Sequence, residues 1–260
     1  MTGNLKDPPP TSIERNPIQA VRQAMLRPLP QRFYSEVGTA ARGAAFVVTL
    51  DGKTARTPRR APLALPTRVA AQALAAEWEA QGAAIDPATM PLTRLANSAI
   101  DGVACDVAAV QADIVKYAAS DLLCYRAAEP RKLVAAQAAA WDGVLCWARE
   151  ALAARFILSE GIIFVEQPAS TIEAMRTSVA SFGEPVRLAC LHVMTTLTGS
   201  ALLALAVARG HLSAEAAWTA AHVDEDFQMQ RWGADREALE RRSQRWQEMD
   251  TAARLLVLLR

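Results

Sequence analysis

The sequence predicts an α+β protein, with a small α/β N-terminal domain followed by a larger all-helical C-terminal domain. Three observations carry this reading. A strand-type run, Ala44 to Leu50, is followed by the hairpin signal Asp51-Gly52. From Leu92 onward helical periodicity dominates. Alanine is plentiful and aromatic residues make up only 6% of the chain, which favours helices. The expected division is a Pro-rich tail at 1–31, the α/β domain at 32–103 and the helical domain at 104–260.

The first part holds Pro8, Pro9, Pro10, Pro17, Pro28 and Pro30, a composition of flexible or extended chain. It lacks the apolar core of a secretory signal. Arg15, Arg22 and Arg27 suggest a transit peptide, while Asp7 and Glu14 argue against one. Lys53 to Thr57 is the expected return strand of the hairpin. Pro58 ends it, and Leu63 to Leu65 adds a short edge strand. Thr67 is placed to cap a helix running to Gly82, with Leu74 and Trp78 one turn apart on its inner face. Asp86-Pro87 and Met90-Pro91 mark a loop. Arg59-Arg60 reads as a solvated loop, and Thr89 to Thr93 as packing.

Helices are expected at Leu92 to Val103, Val107 to Tyr125, Leu133 to Ala154 and Thr171 to Phe182. Phe156 to Val165 reads either as a short hairpin around Glu160-Gly161 or as a buried connection. Leu188 to Ala208 carries no Asp, Glu, Lys or Arg and has the length of a membrane span. His192, three threonines and Ser200 interrupt it, so a buried core helix stopped by Arg209-Gly210 is favoured over a membrane anchor. A final amphipathic helix covers Asp235 to Leu259, with Leu239, Trp246, Met249, Ala253 and Leu256 along one side.

The segment Ala214 to Gly233 reads as one helix with two unlike faces, capped by Ser213. Ala216, Ala220, Val223 and Phe227 form one apolar stripe. Trp218, His222, Glu225, Met229 and Trp232 follow the same spacing on the opposite side, at about 100° per residue. Docking on a core needs one stripe; the second is read as a face for a partner. Of the triplet Asp224-Glu225-Asp226, adjacent side chains diverge around a helix, which disfavours both paired acid–base chemistry and a metal site. A solvated face is the equal alternative for the triplet.

Other chemistry is sparse. The 28 basic and 27 acidic residues leave a net charge of +1, so no global field draws the chain to nucleic acid or to an anionic membrane. No phosphate-cradling glycine loop and no nucleophile elbow occurs. Cys105, Cys124, Cys146 and Cys190 have no C-x-x-C spacing and read as small buried thiols in a reducing compartment. His192 reads as a satisfied core residue and His211 as solvated. His222 has Glu225 one turn away, which leaves a small-molecule hydrolase using that pair as the alternative function. No metal and no cofactor are expected.

Several stretches, taken in order, are similar to a known family. They are Arg32-Phe33-Tyr34, LDGKTARTP at Leu50 to Pro58, LALP at Leu63 to Pro66, EWEAQ at Glu77 to Gln81 and IDPATMPLTRLANSAID at Ile85 to Asp101. YAASDLLCYRA at Tyr117 to Ala127, Gln137 with Trp141-Asp142, Gly199-Ser200 and DEDFQMQRWG at Asp224 to Gly233 continue the series. The chain resembles the assembly chaperones of the F-type ATP synthase catalytic head, the type that binds the unassembled α subunit. The resemblance implies a two-domain, non-enzymatic protein that holds the α subunit until the β subunit arrives. It also implies a functional acid in the D-E-x-x-Q-x-x-x-W-G region, placed here on Glu225. The expected client-binding set is therefore Glu225, Trp218, His222, Gln228, Met229 and Trp232. A monomer in a bacterial cytoplasm is expected, or in the mitochondrial matrix if the source is eukaryotic, with no nucleic acid and no stable membrane insertion.

Overall fold

The computed structural model describes residues 29–161 and 163–260. Nearly all of the expected Pro-rich tail lies outside the described residues. The architecture is α+β, a small strand-containing N-terminal region followed by a region of many helices.

Strand β2 (Ala45–Leu50) is the spine of the N-terminal sheet. It pairs antiparallel with β1 (Val37–Arg42) along its whole length. Its other edge carries β3 (Lys53–Thr54) at Thr49-Leu50 and β4 (Ala64–Leu65) at Phe46-Val47. Asp51 and Gly52 both have positive φ, 47° and 74°, which is the mirror-image turn that matches strand twist. The return strand is shorter than expected, because after Ala55 the chain pairs with itself, Arg56 bridging to Pro62 and the Thr57 amide donating to the Ala61 carbonyl. β1 has no counterpart in the sequence reading; VGTAAR is short of β-formers, and its partner β2 sets its conformation.

Helix α1 (Arg68–Glu79) lies on this sheet through Leu74 and through Ala70 and Ala71, whose small side chains allow close approach. Thr67 caps it as expected, accepting from the Ala70 amide at 3.2 Å. The same hydroxyl donates to the Leu258 carbonyl at 2.6 Å and so ties α1 to the end of the chain. Helix α2 (Pro91–Asp101) has no cap of its own. Glu77 of α1 supplies one: its two oxygens accept from the Leu92 and Thr93 amides, both at 2.8 Å. A carboxylate there also opposes the positive helix end. Glu77→Ala is expected to lower stability by about 1–2 kcal/mol in urea unfolding; an unchanged midpoint would show the cap to be dispensable. At the other end of α2, Asp101 accepts from the Thr57 hydroxyl and the Arg59 amide. Arg59 is exposed, as expected of a loop, but its guanidinium also binds the Asp101 carbonyl.

Helix α3 (Val107–Ala119) ends earlier than its apolar pattern predicted. A 3-10 turn at Leu122–Cys124 and the short strand β5 (Tyr125–Arg126) follow. Helix α4 (Arg131–Ala151) leads into an extended segment that contains β6 (Ser159–Glu160). β6 pairs in parallel with β5, so this segment is neither the expected hairpin nor a buried connection. Helix α5 (Ala169–Ala180) packs on α3.

The apolar stretch expected as one core helix is two helices, α6 (Pro185–Thr198) and α7 (Ala201–Ala208). Gly199 sits in the left-handed region at φ 66°, which ends α6, and the Ser200 hydroxyl caps α7 by accepting from the Leu203 amide. Among the described residues no helix is long and apolar enough to cross a membrane. α6 is central: it touches α2, α3 and α7, as well as helices α8 (Ala214–Ala221) and α10 (Arg236–Leu258). Every residue of α7 is buried.

Asp121 organises the α6–α7 corner. It is fully buried, and its oxygens accept from the Ser200 hydroxyl at 2.7 Å and from the amides of Leu202 and Leu123. Burial without a cation pushes its carboxyl up to about 6, against the pull of these donors. Of the four thiols, Cys124 and Cys190 are buried as expected; Cys146 is half-buried and Cys105 exposed. His192 is also less enclosed than expected, and its Nε2 lies 2.9 Å from Asp113.

Candidate functional site

The segment read as a single two-faced helix is broken at His222. Helix α8 ends at Ala221, and helix α9 begins at Val223 and runs to Trp232. Neither Gly nor Pro marks the break; hydrogen bonds do. The carbonyls of the last helical turn need partners. The His222 Nδ1–H donates to the Trp218 carbonyl at 2.7 Å, and the His222 amide to Thr219. The Trp141 indole, reaching across from α4, donates to the Ala220 carbonyl at 2.7 Å. Ser213 caps the start of α8 as expected.

The break separates the expected site residues. Trp218 is 8% exposed and packs against His222, with ring centroids 4.0 Å apart, and against Trp246 of α10. His222 is 4% exposed. Neither presents a surface to a partner, so the expectation of a continuous stripe through Trp218 and His222 is corrected. The first stripe also divides, since Ala216 is exposed and Ala220 buried. What remains outward is α9 itself, which has no buried residue. Glu225, Gln228 and Trp232 are exposed, Trp232 at 78%, and Met229 is half-buried. Arg231 sits over the Trp232 ring at 5.9 Å.

The acidic triplet diverges as the helical geometry requires. Asp224 accepts from the Gln137 carboxamide of α4 at 2.7 Å. Asp226 pairs with Arg242 of α10. Glu225 points out, its nearest cationic candidate being His222 Nε2 at 3.9 Å. That nitrogen carries no proton when the ring is neutral, because Nδ1 must donate to a carbonyl that can only accept. Burial holds His222 below its usual range, so the neutral ring prevails at neutral pH and Glu225 keeps an uncompensated charge. All three acids lie in the first turn of α9, where the helix end favours negative charge.

The burial of His222, 4% exposed, speaks against the hydrolase alternative. A catalytic pair needs a cleft. Two cavities, about 340 and 410 Å³, are lined respectively by residues around Phe33, Tyr34 and Trp78 and by residues around Leu212, Glu215 and Thr219. Neither reaches His222 or Glu225, and His222 is sealed in. Among the described residues no three His, Cys, Asp or Glu side chains are grouped to hold a metal ion.

Two features of this region escaped the sequence reading. The Gln137 carboxamide joins the Ala127 amide to Asp224, and so connects the residue after β5 with α4 and α9. Trp141 is fully buried with Arg126 over its ring at 5.1 Å. The pairing of Gln137 with Trp141 at one helical turn is a visible signal, but their targets on α9 and α8 lie 87 and 79 residues further along the chain.

Residues 31–149 match the family model of the ATP12 chaperone protein. A provisionally assigned chaperone from Agrobacterium tumefaciens is similar in structure at a TM-score of 0.86 and 46% identity, covering 95% of this chain and 93% of that one. Atp12 from Paracoccus denitrificans matches at a TM-score of 0.86 and 42% identity, covering 89% of this chain and 99% of that one. A point mutant of the same P. denitrificans protein matches equally well. These are chaperones, and the chain is a chaperone and not an enzyme. With the family model and the solved structures in agreement, the chain belongs to the ATP12 chaperone family and serves ATP synthase assembly.

Proposed function

We propose that the chain holds the unassembled α subunit of the F-type ATP synthase through the outward face of α9. The observation that carries this reading is Trp232, a large aromatic 78% exposed on a helix that is braced from both flanks. An exposed indole beside Met229 offers adaptable apolar contact to a client surface that would otherwise aggregate. Glu225 adds a charge with no internal partner to neutralise it, suited to an Arg or Lys of the client. Trp218 and His222 serve from beneath, fixing where α9 starts. We place this work in a bacterial cytoplasm, or in the mitochondrial matrix of a eukaryote, with the chain acting as a monomer; cell fractionation tests the placement.

Glu225→Lys is expected to leave the circular dichroism and melting temperature unchanged while weakening α-subunit retention about tenfold or more. Light scattering of aggregating α subunit, with and without the variant, measures this. A folded variant that suppresses aggregation at wild-type levels removes Glu225 from the docking face. A wild-type chain that retains no α subunit in a pull-down removes the client itself.

A further inference from the structure

A second outward apolar surface lies on the extended segment after α4, outside α9. Ile157 and Leu158 are each 46% exposed, Ile163 74% and Phe164 66%. Single exposed apolar residues are ordinary; four on one short segment are an unusual concentration of outward apolar surface, whichever side each one takes. The backbone beneath them is tied down. The buried Gln167 carboxamide bonds both the amide and the carbonyl of Ile157, at 2.8 and 2.9 Å, as a neighbouring strand would. The Thr171 hydroxyl donates to the Arg155 carbonyl, and the Ser159 hydroxyl to the Ile163 carbonyl. β6 is paired to β5, and the Gly161 amide donates to the Arg126 carbonyl at 2.8 Å. These bonds hold the main chain at Arg155, Ile157, Gly161 and Ile163, while the apolar side chains stand in water.

Charge selects the occupant. Glu160 and Glu166 are exposed beside the apolar residues, and neither forms an ion pair among the described residues. The one cation of the segment, Arg155, stands at its root. Two carboxylates repel an anionic lipid surface. A second copy of the same patch would bring four of them together, which also disfavours self-association. We infer that this patch is a second client-docking surface, taking a short apolar segment flanked by Lys or Arg. It deepens the chaperone reading and rests on it: two separate contacts raise retention by effective concentration, without either being tight.

The test uses the full chain and a fluorescent nine-residue peptide in which Lys alternates with Leu and Phe, read by anisotropy. The double variant Ile163→Ser/Phe164→Ser is expected to bind it about tenfold more weakly at unchanged melting temperature. Glu160→Lys/Glu166→Lys should weaken it several-fold, and so should replacing the peptide's Lys by Asp. Wild type and Ile163→Ser/Phe164→Ser binding alike, or no binding by wild type, overturns the inference. So does a wild-type dimer that the double variant makes monomeric in sedimentation, or vesicle binding that depends on Ile163 and Phe164. α-Subunit retention is measured in parallel. Loop-dependent peptide binding without α-subunit retention defeats the client reading and leaves the patch standing; α-subunit retention with loop-independent peptide binding does the reverse.

Discussion

Trp141→Ala is expected to lower stability by about 3–5 kcal/mol, the range for removing a fully buried aromatic. Its side chain has no exposure and sits where α4 meets α8, with the Arg126 guanidinium over one face. The loss has two parts. Deleting the ring leaves a cavity that packed neighbours fill only partly. It also leaves the Ala220 carbonyl, at the end of a helix, without its donor; an orphaned buried acceptor costs about 1–3 kcal/mol. Trp141→Phe separates the two, since it keeps most of the volume and drops the hydrogen bond. Urea unfolding followed by circular dichroism should rank wild type, Phe and Ala in that order. A Trp141→Ala chain within about 1 kcal/mol of wild type would show that the α8–α9 break does not depend on this indole.

The second large effect is the pH dependence contributed by Asp121. Its carboxyl ordinarily titrates at 3.8 and in the folded chain at about 6. Between these values the folded state holds a proton that the unfolded state has lost, so stability falls as pH rises. The contribution is complete below pH 3.8 and gone once pH passes about 6, amounting to about 3 kcal/mol at roughly 1.4 kcal/mol per unit. This is opposite in sign to the usual surface carboxylate. Asp121→Asn cannot ionise. Its amide nitrogen also faces the Leu202 or Ser200 donors, so at acid pH it should be less stable than wild type by about 1–3 kcal/mol. The advantage of wild type over Asp121→Asn should shrink by about 3 kcal/mol from roughly pH 4 to pH 7. A difference that stays level across this range would mean that water or a cation reaches the site and the carboxyl titrates normally.

Local chemistry made much of the fold readable. The Asp51-Gly52 turn, the caps at Thr67 and Ser213, and the amphipathic final helix depend on residues within one turn of each other. The helix breaks depended in part on residues far away. α8 and α9 separate because an indole from α4 and a buried imidazole take the carbonyls, and no nearby residue signals this. The α6–α7 corner did carry a signal, Gly199 followed by a capping Ser200, but the apolar run hid it; Asp121, which secures the corner, lies 79 residues upstream of Ser200. The candidate site divided in the same way. Glu225, Gln228 and Trp232 lie outward where α9 can show them, whereas helical spacing projected Trp218 and His222 onto a face that a bend had turned inward. Phe164 and its neighbours were missed because an apolar run is ordinarily read as core, and only Gln167 reveals that this one is held outside.

α9 has no buried residue, touches the core through the half-buried Val223, and is moored by a carboxamide on one flank and a guanidinium on the other. Elements held in this way open at a free energy well below that of global unfolding. Dissolved ions weaken the guanidinium mooring and leave the interior untouched. α9 can therefore slacken alone while the rest of the chain stays folded; on the function proposed above, that would let a bound client be released without unfolding its carrier.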